Sequence, residues 1–275
     1  MNINKLSFAF TTAIVIALIF SGFNLLAAPS VVSAQTPLYK SCEEDKLTAP
    51  LSLTAANDAT PEATAEAMAA TQAAAAPSGS DDIAFLSIVG SESQACYLTT
   101  ETFLQGNFMN LPAGFNGAVG ITKTISGDIA LDRTNVANSQ MGDININVSE
   151  LKSDNDRRDG FIRQNFLQSN KYPFATLTDI TVMGLPTGAY QDGAALKFQI
   201  KGTLTAHDTK RETVFDATGT FTGGTLVVRA VTDLNMSDFG IKVPDIGGLL
   251  KVEDAMRLVV NIVARESQST ATPAK

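Results

Sequence analysis

The stretch Ser153–Thr178, SDNDRRDGFIRQNFLQSNKYPFATLT, predicts a short helix that leads directly into a β-strand. Ser153, with an acid three residues later at Asp156, has the pattern of a helix N-cap and its partner. The pair Tyr172-Pro173 ends the helix, because the residue before a proline disfavours helical backbone angles. The charged residues between these two signals therefore lie on a single helix.

Four charged side chains fall on this helix, in a chain of which only 17% is charged: Arg157, Arg158, Asp159 and Arg163. Guanidinium groups clustered in this way are suited to an anionic group on a ligand. The same residues are suited to pinning the helix to the rest of the fold through exposed ion pairs, which stabilise a protein only slightly. The sequence favours pinning and leaves both interpretations open.

The helix and the strand after it carry a characteristic order of residues: Arg158-Asp159, Arg163, Phe166, Tyr172-Pro173 and Ala175-Thr176. Two further stretches follow, GTLTAHDTKRETVF at 202–215 and MSDFGI at 236–241. From about residue 83 to 265, the chain resembles the YceI-like proteins, secreted lipocalin-like barrels that bind polyisoprenoids or other long-chain lipids. It departs from the family pattern at Asp208, where glycine is usual, and at Glu212, where proline is usual, so the turn there is expected to be rebuilt.

The resemblance implies an all-β fold, an antiparallel lipocalin-like barrel of about eight strands with a short helix after the fourth or fifth. It implies an exported, non-catalytic protein that holds one polyisoprenoid or other long-chain lipid, with no cofactor unless that lipid is an isoprenoid quinone. Association with a membrane or the cell envelope fits the same family. Two alternatives stay open: a surface or stress-response interaction module with a filled barrel, and an accessory to membrane electron transfer through quinones.

Apolar and polar residues alternate along much of the chain, as in strands with one buried face. Residues 142–149, GDININVS, alternate without a break. The predicted strands are Ile83–Val89, Ala95–Leu104, Gly117–Leu131 with a turn at Ser126-Gly127, Gly142–Ser149, Phe174–Val182, Leu196–Thr205, Thr213–Phe221, Thr225–Leu234 and Lys251–Arg265. Eight or nine antiparallel strands are enough to close a barrel with room for one ligand.

The apolar positions of these strands are predicted to point into the barrel and to bind the lipid. They are Ile144, Ile146, Val148, Phe198, Ile200, Phe215, Leu226, Val228, Leu258, Val260 and Ile262. A packed core and a lipid cavity give the same sequence pattern, and the family resemblance favours the cavity. An interior this aliphatic suits a flexible hydrocarbon better than a flat aromatic cofactor.

The mouth of the barrel has two candidate regions. One is the charged helix, whose Arg157, Arg158, Asp159 and Arg163 are candidates for a lipid headgroup. The other is the loop 243–250, where Ile246, Leu249 and Leu250 flank two glycines and either cap the mouth or simply pack.

The N-terminal residues 1–34 hold one lysine, no acid and an apolar run ending in Val32-Ser33-Ala34. This pattern predicts a signal peptide cleaved near Ala34, and hence a secreted or extracytoplasmic protein. An uncleaved membrane anchor is the alternative, because the run is long enough to span a bilayer.

Three further segments follow: a disordered Ala/Thr/Pro-rich spacer at 35–80, the YceI-like barrel at 81–266 and a disordered tail at 267–275. The chain's net charge of −8 is concentrated in the spacer. The barrel therefore lacks the basic excess of a nucleic-acid-binding domain.

The residue types that most often carry chemistry are scarce. Cys42 and Cys96 either form a disulfide or remain a free thiol and a buried apolar side chain. The single histidine, His207, is predicted to lie in a turn, without the partners that a catalytic triad or a metal site requires. The sequence therefore predicts neither catalysis nor a bound metal, and it does not set the oligomeric state.

Overall fold

The computed structural model describes residues 40–53 and 82–267. The predicted signal peptide, residues 35–39 and 54–80 of the spacer, residue 81 and residues 268–275 of the tail lie outside this part of the chain. Within the described residues, no helix combines the length and the apolar character needed to cross a membrane.

The described residues form one antiparallel sheet. Its strands are β1 (Ile83–Ile88), β2 (Gln94–Phe103), β3 (Gly114–Thr122), β4 (Ile125–Ser126), β5 (Asp128–Asp132), β6 (Gln140–Met141), β7 (Ile144–Asn147), β8 (Phe174–Met183), β9 (Ala195–Ala206), β10 (Thr209–Thr222), β11 (Thr225–Asn235), β12 (Asp245–Ile246), β13 (Leu250–Val252) and β14 (Ala255–Glu266). The α-helix is α1 (Asp156–Asn165), and turns of 3-10 helix lie at Cys42–Asp45, Gly90–Glu92, Phe108–Asn110, Val136–Asn138, Val148–Glu150 and Met236–Phe239.

The sheet curls into a barrel, which confirms the predicted fold class. Strands β8, β9, β10 and β11 pair with their neighbours in the chain, and β11 pairs with β14. Strand β14 also pairs with β2 and, near its end, with β1. The segment 114–132 completes the ring, because β3 pairs with β2, β4 with β7 and β5 with β1.

The number of strands differs from the eight or nine predicted. The predicted strand Gly117–Leu131 is broken into β3, β4 and β5, because this segment changes its pairing partner twice as it crosses the barrel. The break between β4 and β5 falls at the predicted turn Ser126-Gly127, whereas the break between β3 and β4 was not predicted. The predicted strand Lys251–Arg265 is likewise divided into β13 and β14. Side-chain alternation does not reveal such changes of partner, since it continues through them.

The turn between β9 and β10 is a two-residue hairpin. Ala206 pairs with Thr209, and the two loop residues His207 and Asp208 have φ of +49° and +66°. Positive φ at both positions is what a type I′ hairpin loop requires, and aspartate tolerates it better than most residues. His207 lies in a turn as predicted, but the strands run further toward it than the predicted ends at Thr205 and Thr213.

The helix α1 begins two residues later than its predicted cap. The N-cap is Asn155, whose Oδ1 accepts hydrogen bonds from the backbone N–H groups of Arg157 and Arg158, each 3.1 Å long. Ser153 instead donates its backbone N–H and its hydroxyl to the carboxylate of Asp159. The cap prediction was wrong because a serine and an asparagine two positions apart are both good caps.

Residues 40–53 lie on the outer face of the barrel rather than in a disordered spacer. A disulfide joins Cys42 to Cys96 of β2. Around it, Leu98, Val119 and Val259 are buried together with both cysteines in one apolar cluster, which we call the outer cluster. The spacer prediction was wrong here because a covalent bond holds a segment that has few apolar side chains of its own.

Ion pairs fasten the same segment further along the barrel wall. The Asp45 carboxylate contacts the Arg229 guanidinium of β11 and lies 3.1 Å from the Lys40 ammonium. Although burial opposes the charged form, hydrogen bonds from Arg229 and Lys40 hold the pKa of Asp45 below its ordinary value. A side chain at Gly117 of β3 would collide with the backbone oxygen of Leu47, since its Cβ would lie only 2.2 Å away.

Candidate functional site

A central cavity lies inside the barrel. The space open to the centres of water-sized spheres is about 140 Å³, whereas one water needs about 10–15 Å³ by the same measure. Eight of the eleven residues predicted to face the interior line this cavity: Ile144, Ile146, Val148, Ile200, Phe215, Leu258, Val260 and Ile262. The interior is therefore hollow at the level of these side chains.

The other three predicted lining residues, Phe198, Leu226 and Val228, surround a smaller cavity of about 50 Å³. This distal cavity shares Met141 with the central one. Tyr190 borders it, donating its hydroxyl to the Ala194 carbonyl at 2.7 Å and accepting the Phe221 N–H at 2.9 Å. Alternation placed all three residues inward, but it could not assign them to a level along the barrel.

A third cavity of about 70 Å³ lies beside α1, and we call it the helix-side cavity. Phe161, Ile162 and Phe166 of the helix region line it, together with Glu101 and Arg158. It has five lining residues in common with the central cavity: Tyr97, Leu167, Met236, Ile241 and Met256. The apolar space therefore continues toward the helix, with only single side chains between the chambers.

The charged helix holds a buried ion pair at the wall of the helix-side cavity. Arg158 is 2% exposed, and its Nη1 donates to Oε1 of Glu101 at 2.6 Å. Its Nε donates to Ser153 Oγ at 3.2 Å, and its Nη2 contacts Asp154. Burial opposes the charged form, but the carboxylates of Glu101 and Asp154 outweigh it and raise the pKa of Arg158.

The other charged residues of the helix also have partners within the protein. Arg163 donates to the Leu151 carbonyl at 3.0 Å, and the exposed Arg157 donates to Asn110 Oδ1 at 3.3 Å. Asp159, only 5% exposed, accepts the hydrogen bonds from Ser153 described above. The geometry favours pinning, but the prediction of exposed ion pairs was wrong for Arg158 and Asp159, and a headgroup contact stays a prediction.

The loop 243–250 packs as a small hairpin of β12 and β13. Leu250 is 3% exposed and belongs to an apolar cluster with Phe103 and Val252, against which Ile246 packs. Leu250 also lines the helix-side cavity, whereas Ile246 and Leu249 line none of the cavities described here. A capping role for this loop stays a prediction.

Sequence analysis missed the residues between the chambers. Tyr97 and Glu101 lie on β2, where both parities are apolar or uncharged over much of the strand, so alternation does not identify the inward face. Met236 lies beyond the predicted strand Thr225–Leu234, and Met256 lies in the predicted strand Lys251–Arg265 but was not among the predicted lining residues. The pairing of Tyr97 with Gly120 of β3 is the one usable signal, because a bulky ring often covers a glycine on a neighbouring strand.

The ring of His207 contacts that of Tyr172 in a tilted arrangement, with ring centroids 4.6 Å apart and an interplanar angle of 56°. In residues 40–53 and 82–267, no three side chains among His, Cys, Asp and Glu converge as metal ligands.

The chain is similar to several solved structures. BcnA of Burkholderia cenocepacia is 16% identical, with a TM-score of 0.48 over 64% of this chain and 98% of that one. A polyisoprenoid-binding domain from Saccharophagus degradans, implicated in plant cell wall breakdown, is 11% identical, with a TM-score of 0.48 over 66% and 98%. A YceI protein of Campylobacter jejuni is 22% identical, with a TM-score of 0.42 over 53% and 83%.

No curated protein matches the chain in sequence. The family described as YceI-like domain matches residues 101–264, which include the helix, the three cavities' main walls and strands β8 to β11. The chain therefore belongs to the YceI-like domain family.

Proposed function

We propose that this barrel binds one polyisoprenoid or other long-chain lipid in its central cavity, without catalysis. The observation that carries the proposal is the hollow interior, whose lining side chains are apolar except for the hydroxyls of Tyr97 and Thr122 and the disulfide-bonded Cys96. The name of the Saccharophagus degradans domain supports the same class of ligand. The alternative of a barrel filled by its own side chains is disfavoured by the open central cavity.

Burial of the hydrocarbon supplies the affinity. Each methylene removed from water contributes about 0.8 kcal/mol, so about ten buried carbons contribute roughly 8 kcal/mol, comparable to a micromolar Kd before the costs of association. No polar contact is needed for binding of this strength. An isoprenoid quinone meets the same requirement through its tail, so it belongs among the candidate ligands, and the barrel needs no other cofactor.

We also propose that the protein works outside the cytoplasm, after cleavage near Ala34. The disulfide between Cys42 and Cys96 supports this location, because such bonds persist in oxidising compartments. A cell-envelope location would place the barrel near membranes that contain long isoprenoid lipids, and it allows contact with a membrane surface.

Native mass spectrometry of the protein purified from its own host tests the proposal. We expect a mass increment that organic extraction removes and that an added neutral polyprenol restores. The matched control is Val260→Trp, which places a large ring in the central cavity and should abolish rebinding while the barrel stays folded. Absence of both a retained lipid and rebinding would refute the proposed function.

A further inference from the structure

Tyr97 is the most rigid of the five side chains between the central and helix-side cavities. Its ring lies against Gly120 of the neighbouring strand: a Cβ added to that glycine would be 2.1 Å from Cε1 and 2.6 Å from Cζ of the ring. Only a glycine leaves room for the ring in this position. The backbone of β3 therefore supports the ring from one side.

The other four dividing residues are more adaptable. Met236 and Met256 are unbranched side chains with three rotatable bonds, and methionine readily adjusts to the shape of its surroundings. Leu167 and Ile241 follow or precede turns rather than lying within strands. An incoming hydrocarbon can displace the two methionines at small cost, whereas moving Tyr97 requires lifting a large ring from its support.

The hydroxyl of Tyr97 does not anchor the ring elsewhere. In the part of the chain that the structure describes, the hydroxyl of Tyr97 makes no hydrogen bond. Burial raises the pKa of the phenol, so the group stays neutral. The position of Tyr97 thus depends on the contact between ring and backbone.

We propose that Tyr97 determines the length of lipid that the barrel selects. This inference rests on the proposed function. A hydrocarbon that fills the central cavity ends at the ring, and the helix-side cavity behind it holds about 70 Å³ against about 140 Å³ in front. Removing the ring would join the two cavities, and the volume open to a lipid would grow by about half.

The test compares the wild type, Tyr97→Ala and Tyr97→Phe with neutral polyprenols of increasing length, each titrated by native mass spectrometry on delipidated full-length protein. For the wild type and Tyr97→Phe, we expect affinity to rise with chain length and then level off at the same length. For Tyr97→Ala, we expect it to continue rising, at least about tenfold beyond that point, because two further buried methylenes are worth a factor of ten. Tyr97→Phe is the matched control, since it keeps the ring and removes only the hydroxyl.

The outcomes separate this inference from the function on which it rests. If no protein binds any polyprenol, the proposed function fails. If all bind and Tyr97→Ala levels off at the wild-type length, the function stands and the role of Tyr97 is refuted. Loss of the plateau in Tyr97→Phe would also overturn it, because the ring would not be the determinant. Should Tyr97→Ala not fold, Tyr97→Leu provides the same comparison with less loss of packing.

Discussion

Strand β14 carries valines on both of its faces, yet these valines meet opposite surroundings. Val260 lines the hollow central cavity, while its neighbour Val259 is 0% exposed in the solid outer cluster. The difference comes from what faces each side: residues 40–53 press onto the outside, fixed by the bond between Cys42 and Cys96. Whether the space beside an apolar strand face is filled therefore depends on the segment that packs against that face, and not on the apolar residues alone.

Breaking the buried ion pair between Arg158 and Glu101 should give the largest effect on stability. Arg158→Gln leaves Glu101 buried without its countercharge, and breaking such a pair typically costs about 3–5 kcal/mol. We expect this loss in the free energy of unfolding measured with urea. Arg157→Gln is the control, because that side chain is exposed and its removal should change stability by less than about 0.5 kcal/mol. Equal effects of the two changes would contradict a structural role for Arg158.

Loss of the disulfide between Cys42 and Cys96 should give the second largest effect on stability. The disulfide spans 54 residues of sequence, and a loop of that size gives an upper value of about 4 kcal/mol from chain entropy. We expect Cys42→Ser to lower the melting temperature by several degrees, while lipid affinity changes little because Cys96 is the one member of the buried outer cluster that lines the central cavity. Reduction of the wild type should reproduce this shift. We call residues 40–53 the covering segment. An equal melting temperature for the wild type and Cys42→Ser would show that the disulfide of this segment contributes little to stability.

Adjacent tryptophan substitutions compare the filled and hollow sides directly. Val259→Trp overpacks the outer cluster and should cost about 1–3 kcal/mol of stability without loss of lipid. Val260→Trp enters open space, so it should cost less stability and abolish lipid binding. Thermal unfolding and polyprenol titration of both variants give the answer. Similar destabilisation by the two would mean that the interior is as closely packed as the outer cluster.

The smallest effect concerns the ion pairs of the covering segment. Because the folded-state pKa of Asp45 is lowered, its contribution to stability is present above the ordinary carboxyl pKa and is lost as pH falls through the folded value. We expect Asp45→Asn to lower the melting temperature slightly at pH 7 and to reduce its fall below about pH 4. Glu43→Gln, an exposed change on the same turn, is the control. An unchanged acid profile in Asp45→Asn would contradict the assignment.

The sequence predicted the antiparallel barrel and eight of the residues that line the central cavity, because alternation along strands such as β7 and β9 reports directly which side chains share a face. It could not predict the burial of Arg158. That depends on Glu101, a partner 57 residues away whose position follows only from the pairing of β2. Nor could it distinguish hollow from filled, since Val259 and Val260 are the same residue type. The covering segment escaped prediction because its anchor is one bond between distant cysteines.

The pairing order of the strands has a consequence for the sequence of events during folding. Strands β8 to β11 each pair with the next strand in the chain up to β11, whereas β2 must find β14 about 160 residues later. Contacts between near neighbours form faster than distant ones, because they close shorter loops. We expect pulse-labelled hydrogen exchange to find the amides of 195–235 protected before those of 94–103. During that interval the future walls would stand as an open sheet, with their aliphatic faces accessible to any lipid, or to another unfinished chain.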